Sequence, residues 1–152
     1  MKKEDNKTSI EEKSEALLQA YVSKSAFKFE YGFESVNGIV KKKYYLHEIP
    51  NIKEKCDVWN VLPIVYVRQF TGFTDKKEVE IYQGDICKYH KNTSKWLVSY
   101  HFEVRFKNGA FYAYWERDIM GKLEQHWDFL SQKDMINIRV VSNIFQSTQT
   151  TS

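Results

Sequence analysis

The sequence predicts a mostly β fold, a small barrel or rolled antiparallel sheet with one N-terminal α-helix. Three observations predict it. Apolar and polar residues alternate with period two through residues 26–35 and 96–107, the mark of strands with one covered face. Asn-Gly dipeptides at 37–38 and 108–109 interrupt those runs where a two-residue hairpin turn would sit. Aromatic residues supply 16% of a chain that is 42% hydrophobic, so a core of Phe, Tyr and Trp is expected within one domain of 152 residues.

Residues 1–8 are polar, charged and aperiodic, which predicts a disordered tail. The helix is expected over 9–24. Ser9 and Glu12 make the S-x-x-E capping box, and Ile10, Leu17 and Tyr21 fall on one face. In "AFKFEYGFES", Phe27, Phe29, Tyr31 and Phe33 alternate with Lys28, Glu30 and Gly32, so the aromatic set is expected to be the buried one. Asn37-Gly38 then turns the chain into "IVKKKYY". Residues 51–60 read as a connector, and "VLPIVYVRQF" as a strand whose Pro63 marks its start.

The stretch "RQFTGFTDKKEVEIYQGDICKY" (68–89) combines two turns and a short strand. Gly72 supplies a positive φ at a strand end, Asp75 closes a turn on its own backbone, and Gly84-Asp85 closes the second turn. The next hairpin, "KWLVSYHFEVRFKNGAFYAYWERD", has Asn108-Gly109 as a type I′ turn. That turn sets Phe106 opposite Phe111 and Val104 opposite Ala113 on an apolar face, and Arg105 opposite Tyr112 and Glu103 opposite Tyr114 on the other. "GKLEQHWDFLSQKDMI" fits a strand or a short helix. "NIRVVSNIFQ" is the last strand, and 147–152 a frayed tail.

The net charge of +3 is too small to indicate nucleic-acid binding by itself. Lys41, Lys42 and Lys43 form a basic cluster that most simply reads as a solvated face and that, with His101, joins the candidate binding surface of Arg105, Lys107, Tyr112 and Tyr114. Cys56 and Cys87 lack CxxC spacing, so free thiols are expected, with Cys87 the more buried and no metal or other cofactor implied. His47, His90, His101 and His126 lie on separate elements without an attached nucleophile. Only His101, on the polar face of the hairpin, merits inspection. No run reaches the roughly 18 apolar residues of a membrane span, and residues 1–15 hold no apolar leader. A cytosolic protein without membrane contact is therefore expected.

Residues 68–89 resemble the central signature of the YopX-like family of phage and prophage proteins: an aromatic-Thr-Gly-hydrophobic turn, an Asp, then Ile-aromatic-x-Gly-Asp-Ile. Thr71, Gly72, Asp75, Ile81, Tyr82, Gly84, Asp85 and Ile86 all hold that pattern, and "VVSNIFQ" (140–146) resembles the closing segment. The likeness covers residues 26–146. Glu78 stands where the family often has a glycine, which implies an altered 75–79 turn, and Gln83 and Ser142 also depart from the pattern. The resemblance implies a mostly β protein of a mobile element and carries no catalytic residue.

The expected function is therefore non-enzymatic: binding a host or phage protein or nucleoprotein, such as a defence effector, in an anti-CRISPR-like role. Direct DNA or RNA binding is the alternative. It would use the aromatic–basic hairpin face of Arg105, Lys107, Tyr112 and Tyr114, where bases stack beside cations. The 9–24 helix is a candidate contact or dimerisation element. Gly72, Asp75, Gly84, Asp85, Asn108 and Gly109 are assigned to turns rather than to a site.

Overall fold

Alternating sequences of this kind pair into sheets, and the computed structural model describes such a chain over residues 12–17, 27–46, 48 and 62–146. Among the described residues the strands are β1 (Lys28–Ser35), β2 (Gly38–Tyr45), β3 (Ile64–Thr74), β4 (Glu80–Tyr82), β5 (Asp85–Asn92), β6 (Leu97–Lys107), β7 (Ala110–Ile119), β8 (Lys122–Phe129) and β9 (Ile138–Asn143). They form two antiparallel sheets, ordered β2-β1-β3-β4 and β8-β7-β6-β5-β9, in a curled, half-barrel architecture. Residues 12–17 are α-helical and exposed, with Leu17 at 71% exposure. Ile10 and Tyr21, the other two residues of the expected helix face, lie outside the described residues, as do His47, Cys56 and both expected tails.

The β6–β7 hairpin follows the alternation. Asn108 (φ 50) and Gly109 (φ 80) take the two positive φ angles of a type I′ turn. The ladder pairs Phe106 with Phe111, Val104 with Ala113, Arg105 with Tyr112 and Glu103 with Tyr114. At the first hairpin the frame differs by one residue. Val36 and Asn37 form the turn, and Gly38 (φ 113) already pairs with Ser35. The ambiguous segment 121–136 is both things in succession: strand β8, then a 3₁₀ helix, Gln132–Asn137.

The core packs Ile81, Cys87, Phe102, Val104, Ala113 and Ile138 against Met135 of the 3₁₀ helix. Cys87 is a free, fully buried thiol whose ionisation burial suppresses. Trp96 is 65% exposed at the start of the β6 run, outside this core.

The patterned stretch joins the two sheets. At the Gln83-Gly84 turn, the Gln83 N–H donates to Gln69 O of β3 (2.9 Å) and the Gly84 N–H to Val104 O of β6 (2.8 Å). Gly84 O accepts from Ile144 N (2.9 Å). Gly84 sits at φ 82, and a Cβ there would lie 2.9 Å from the Phe145 ring, so the turn needs glycine for both backbone and space. Asp75 is 5% exposed and accepts from Lys77 N (2.7 Å), Val79 N (3.0 Å) and, on its other oxygen, Val140 N of β9 (2.9 Å). Gly72 (φ 87) lies inside β3 at an irregularity between Phe70 and Thr74, not at the strand's end as the sequence suggested. Glu78 occupies a left-handed φ of 64 within the 75–79 turn.

One expectation about β1 holds only at its far end. Glu30 and Gly32, expected on the solvent side, are buried, while Phe29 and Tyr31 are only half-buried; Phe33, beyond the register shift at Gly32/Phe33, is buried as expected. Period two separates the two faces of a strand but does not say which face is covered. Here a buried arginine on β3 makes the acidic face the covered one.

Candidate functional site

Two constellations carry chemistry, and the first lies under Asp85. Arg68 on β3 donates from Nε to Glu30 on β1 (2.9 Å) and from Nη1 to Asp85 on β5, and all three side chains are at least nine-tenths buried. The Tyr66 hydroxyl donates to Glu30 (3.1 Å), and the Tyr82 backbone N–H donates to the second Asp85 oxygen (2.7 Å). Burial opposes the charge on Arg68, but Asp85 and Glu30 outweigh it, so the guanidinium is held more firmly charged than usual. Beside this triad, Glu80 accepts from Lys28, from Lys43 (2.7 Å) and from the Tyr82 hydroxyl (2.7 Å).

A cleft of about 280 Å³ opens over these groups, and Lys41 also lines it. Its charges cancel in place: three cations face three carboxylates. Among the described residues no histidine lines it, and Asp75 points elsewhere, so those residues do not assemble the acid–base set that would turn "TGFTD…IYQGDI" into a reactive site. The three lysines do not form one track either. Lys43 faces Glu80, while Lys42 lies over the Tyr44 ring at 5.8 Å.

Burial alone would raise the Glu80 carboxyl, yet the Lys28, Lys43 and Tyr82 hydrogen bonds pull it down to about 2 from an ordinary value of 4.5. A depressed carboxylate stabilises the fold above its unfolded value, and that stabilisation is lost as pH falls between 4.5 and about 2. Asp85, raised by burial against the pull of Arg68, works in the opposite sense. Glu80→Gln is therefore expected to flatten the acid side of a Tm-versus-pH curve over that window. Because the side chain keeps 27% exposure, the cost near neutral pH is only roughly 0.5–1 kcal/mol. An unchanged acid limb would show that this carboxylate is not held by its lysines.

The second constellation is on the face of β6, β7 and β8 turned away from the core. Arg105 lies over the Tyr114 ring at 3.6 Å and near Trp127 at 5.7 Å, and it pairs with Glu103 at 2.9 Å. The ring beneath it is thus not Tyr112, its direct cross-strand neighbour. Lys107 stands 4.5 Å from the Trp127 ring centre. The Tyr114–Trp127 centroids are 4.6 Å apart and the Tyr112–Phe129 centroids 4.5 Å apart. The Tyr114 hydroxyl donates to Glu116, which raises its phenol above the usual range. Beside this platform a groove of about 310 Å³ runs between Arg105, Lys107 and Trp127 on one side and Val67, Ile144 and Phe145 on the other.

All four expected hairpin residues therefore share one face, with Tyr114 buried at 6% exposure beneath Arg105 and the other three reaching the surface. The alternation missed Trp127 and Phe129, which complete it from β8; their period-two spacing was the available signal, obscured by the helix-like residues that follow. His101 is exposed on the same face, opposite Lys88, which is itself opposite Arg139 of β9. Among the described residues, none of these three has a side-chain partner, so His101 has neither nucleophile nor carboxylate. Among those residues, too, no helix is long and apolar enough to cross a membrane.

A family model described as YopX protein matches residues 18–150, so it includes residues 18–25, which the sequence placed outside the resemblance. No curated protein matches the sequence. With most of its length matched, and with the signature residues Gly84, Asp75 and Asp85 tying its sheets together, the chain belongs to the YopX family.

Proposed function

We propose that this chain is a non-enzymatic accessory protein of a phage or prophage that binds and modulates or inhibits a host protein or nucleoprotein of the defence-effector kind. The β6–β8 outer face would make the contact in the host cytosol. The observation that carries this reading is the platform beside its groove. Tyr112, Tyr114, Trp127 and Arg105 are the residue types that dominate protein hot spots, and they are already packed into fixed positions. The groove offers apolar walls at Val67, Ile144 and Phe145 for a partner's anchoring side chain. Arg105 is committed to Glu103, and Glu116 sits in the same surface, so the platform is mixed in charge rather than a phosphate track.

Direct DNA or RNA binding is the second reading, favoured by the cross-strand row Arg139–Lys88–His101 on the same face. Affinity capture from nuclease-treated host lysate, run beside mobility-shift titrations with DNA and RNA, separates the two. Trp127→Ala is expected to cut capture of the protein partner by about 30-fold, the scale of a 2 kcal/mol hot spot, with the thermal transition retained. Binding to nucleic acid that weakens steeply with salt, and is lost in Lys88→Gln/Arg139→Gln, would overturn the protein-contact reading.

A further inference from the structure

The opposite face of the same sheet carries a second aromatic array. Tyr89, Tyr100, Trp115 and His126 stand on β5, β6, β7 and β8 in turn, with successive ring centroids 5.2, 5.0 and 3.9 Å apart. Tyr89 and Tyr100 line a cavity of about 420 Å³ whose apolar floor includes Val98, Phe102, Ala113 and Ile138. Two carboxylates, Asp128 and Asp134, line it together with one lysine, Lys133, so the charged lining is net acidic. Asp128 accepts the Trp115 indole N–H (3.0 Å) and Asp134 accepts the Ser131 hydroxyl, which fixes both without neutralising either. Neither forms an ion pair with a basic side chain among the described residues.

We propose that this cavity is a binding site for an organic cation on an apolar stem, an ammonium or guanidinium of the lysine, arginine or diamine kind. Its volume is in the range of small-ligand pockets, which pair apolar walls with a few orienting polar groups. The stem would lie on Phe102, Ala113 and Ile138. The head would reach the two carboxylates, whose charge-assisted hydrogen bonds are the strong ones, beside electron-rich rings. Burial, with Asp128 and Asp134 behind it, raises the Tyr100 phenol, so both acids act on the space around one hydroxyl. Because this face is turned away from the platform, the proposal stands apart from the protein-contact reading.

The test titrates the full chain with n-butylguanidinium and with n-butylurea, a neutral molecule of nearly the same shape. Binding is followed by the Trp115 indole N–H resonance, whose proton rests on Asp128. The cation is expected to shift that resonance saturably and the urea to leave it in place. Asp128→Asn/Asp134→Asn should weaken the cation by at least about tenfold, while Lys107→Gln on the other face changes nothing. Equal binding of the urea, an unchanged Asn variant or the absence of a saturable shift would overturn the proposal. Should the Asn variant not fold, the cation–urea comparison on the native chain decides alone. Tighter binding of acetyl-Gly-Arg-Gly-amide than of cadaverine assigns the site to a partner's side chain, and the reverse order assigns it to a free diamine.

Discussion

Arg68→Met is expected to cost roughly 3–5 kcal/mol, the penalty for removing one partner of a buried ion pair. Such a loss approaches the whole stability of many domains of this size. Glu30 and Asp85 are 5% and 2% exposed, and Arg68 is the cation that both of them contact. Without it, two carboxylates must stay charged in a poorly hydrated space, take up protons, or pull the strands apart to reach water. The network crosses the fold, since Glu30 and Arg68 belong to one sheet and Asp85 begins the other. Arg68→Lys should recover little, because a single ammonium cannot reproduce a planar fork that reaches two separate carboxylates. Arg68→Met combined with Glu30→Gln and Asp85→Asn should be clearly more stable than Arg68→Met alone, since no buried charge is then left unpaired. Urea unfolding followed by tryptophan fluorescence reads all four proteins. A loss under about 1 kcal/mol for Arg68→Met would place the pair in water.

That network also marks where reading the sequence stops. The register of the β6–β7 hairpin was legible because two local facts determine it: strict alternation and a dipeptide that accepts two positive φ angles. The covered face of β1 was not legible, because it depends on Arg68, 38 residues away from Glu30. Alternation also shows Asp75 and Asp85 as turn residues, and each does close a turn. It cannot show that Asp75 reaches Val140, 65 residues on, or that Asp85 neutralises a buried arginine. The candidate surface divides the same way. Arg105, Lys107, Tyr112 and Tyr114 come from one hairpin whose pairing is local, whereas Lys88 and Arg139 become neighbours only through the long-range β5–β9 ladder. Turn chemistry and periodicity are local signals, so contacts between distant strands lie beyond them.

The second large effect is expected at Gly32, through size alone. Its φ lies outside the left-handed region, so the backbone would accept any L-residue. A Cβ at this position, however, would stand 2.2 Å from Tyr66 Cε1 and 2.5 Å from Cζ, well inside contact distance. The ring has little room to retreat. Its hydroxyl donates to Glu30, its face stacks on Phe145 with centroids 4.3 Å apart, and it is 7% exposed. Gly32→Ala must therefore move β1 away from β3 or force Tyr66 out of its stack, at about 3 kcal/mol or more, the upper range for overpacking. Two-state thermal unfolding should show a Tm lower by about 6–12 °C at the 2–4 °C per kcal/mol of a chain this long. A double-mutant cycle isolates the cause. Tyr66→Ala removes the ring, so adding Gly32→Ala in that background should cost almost nothing, giving a coupling of about 2–3 kcal/mol. If Gly32→Ala were equally costly with and without the ring, the clash would not be with Tyr66. If it were neutral in both, the backbones of β1 and β3 would not approach as closely as the ring position requires.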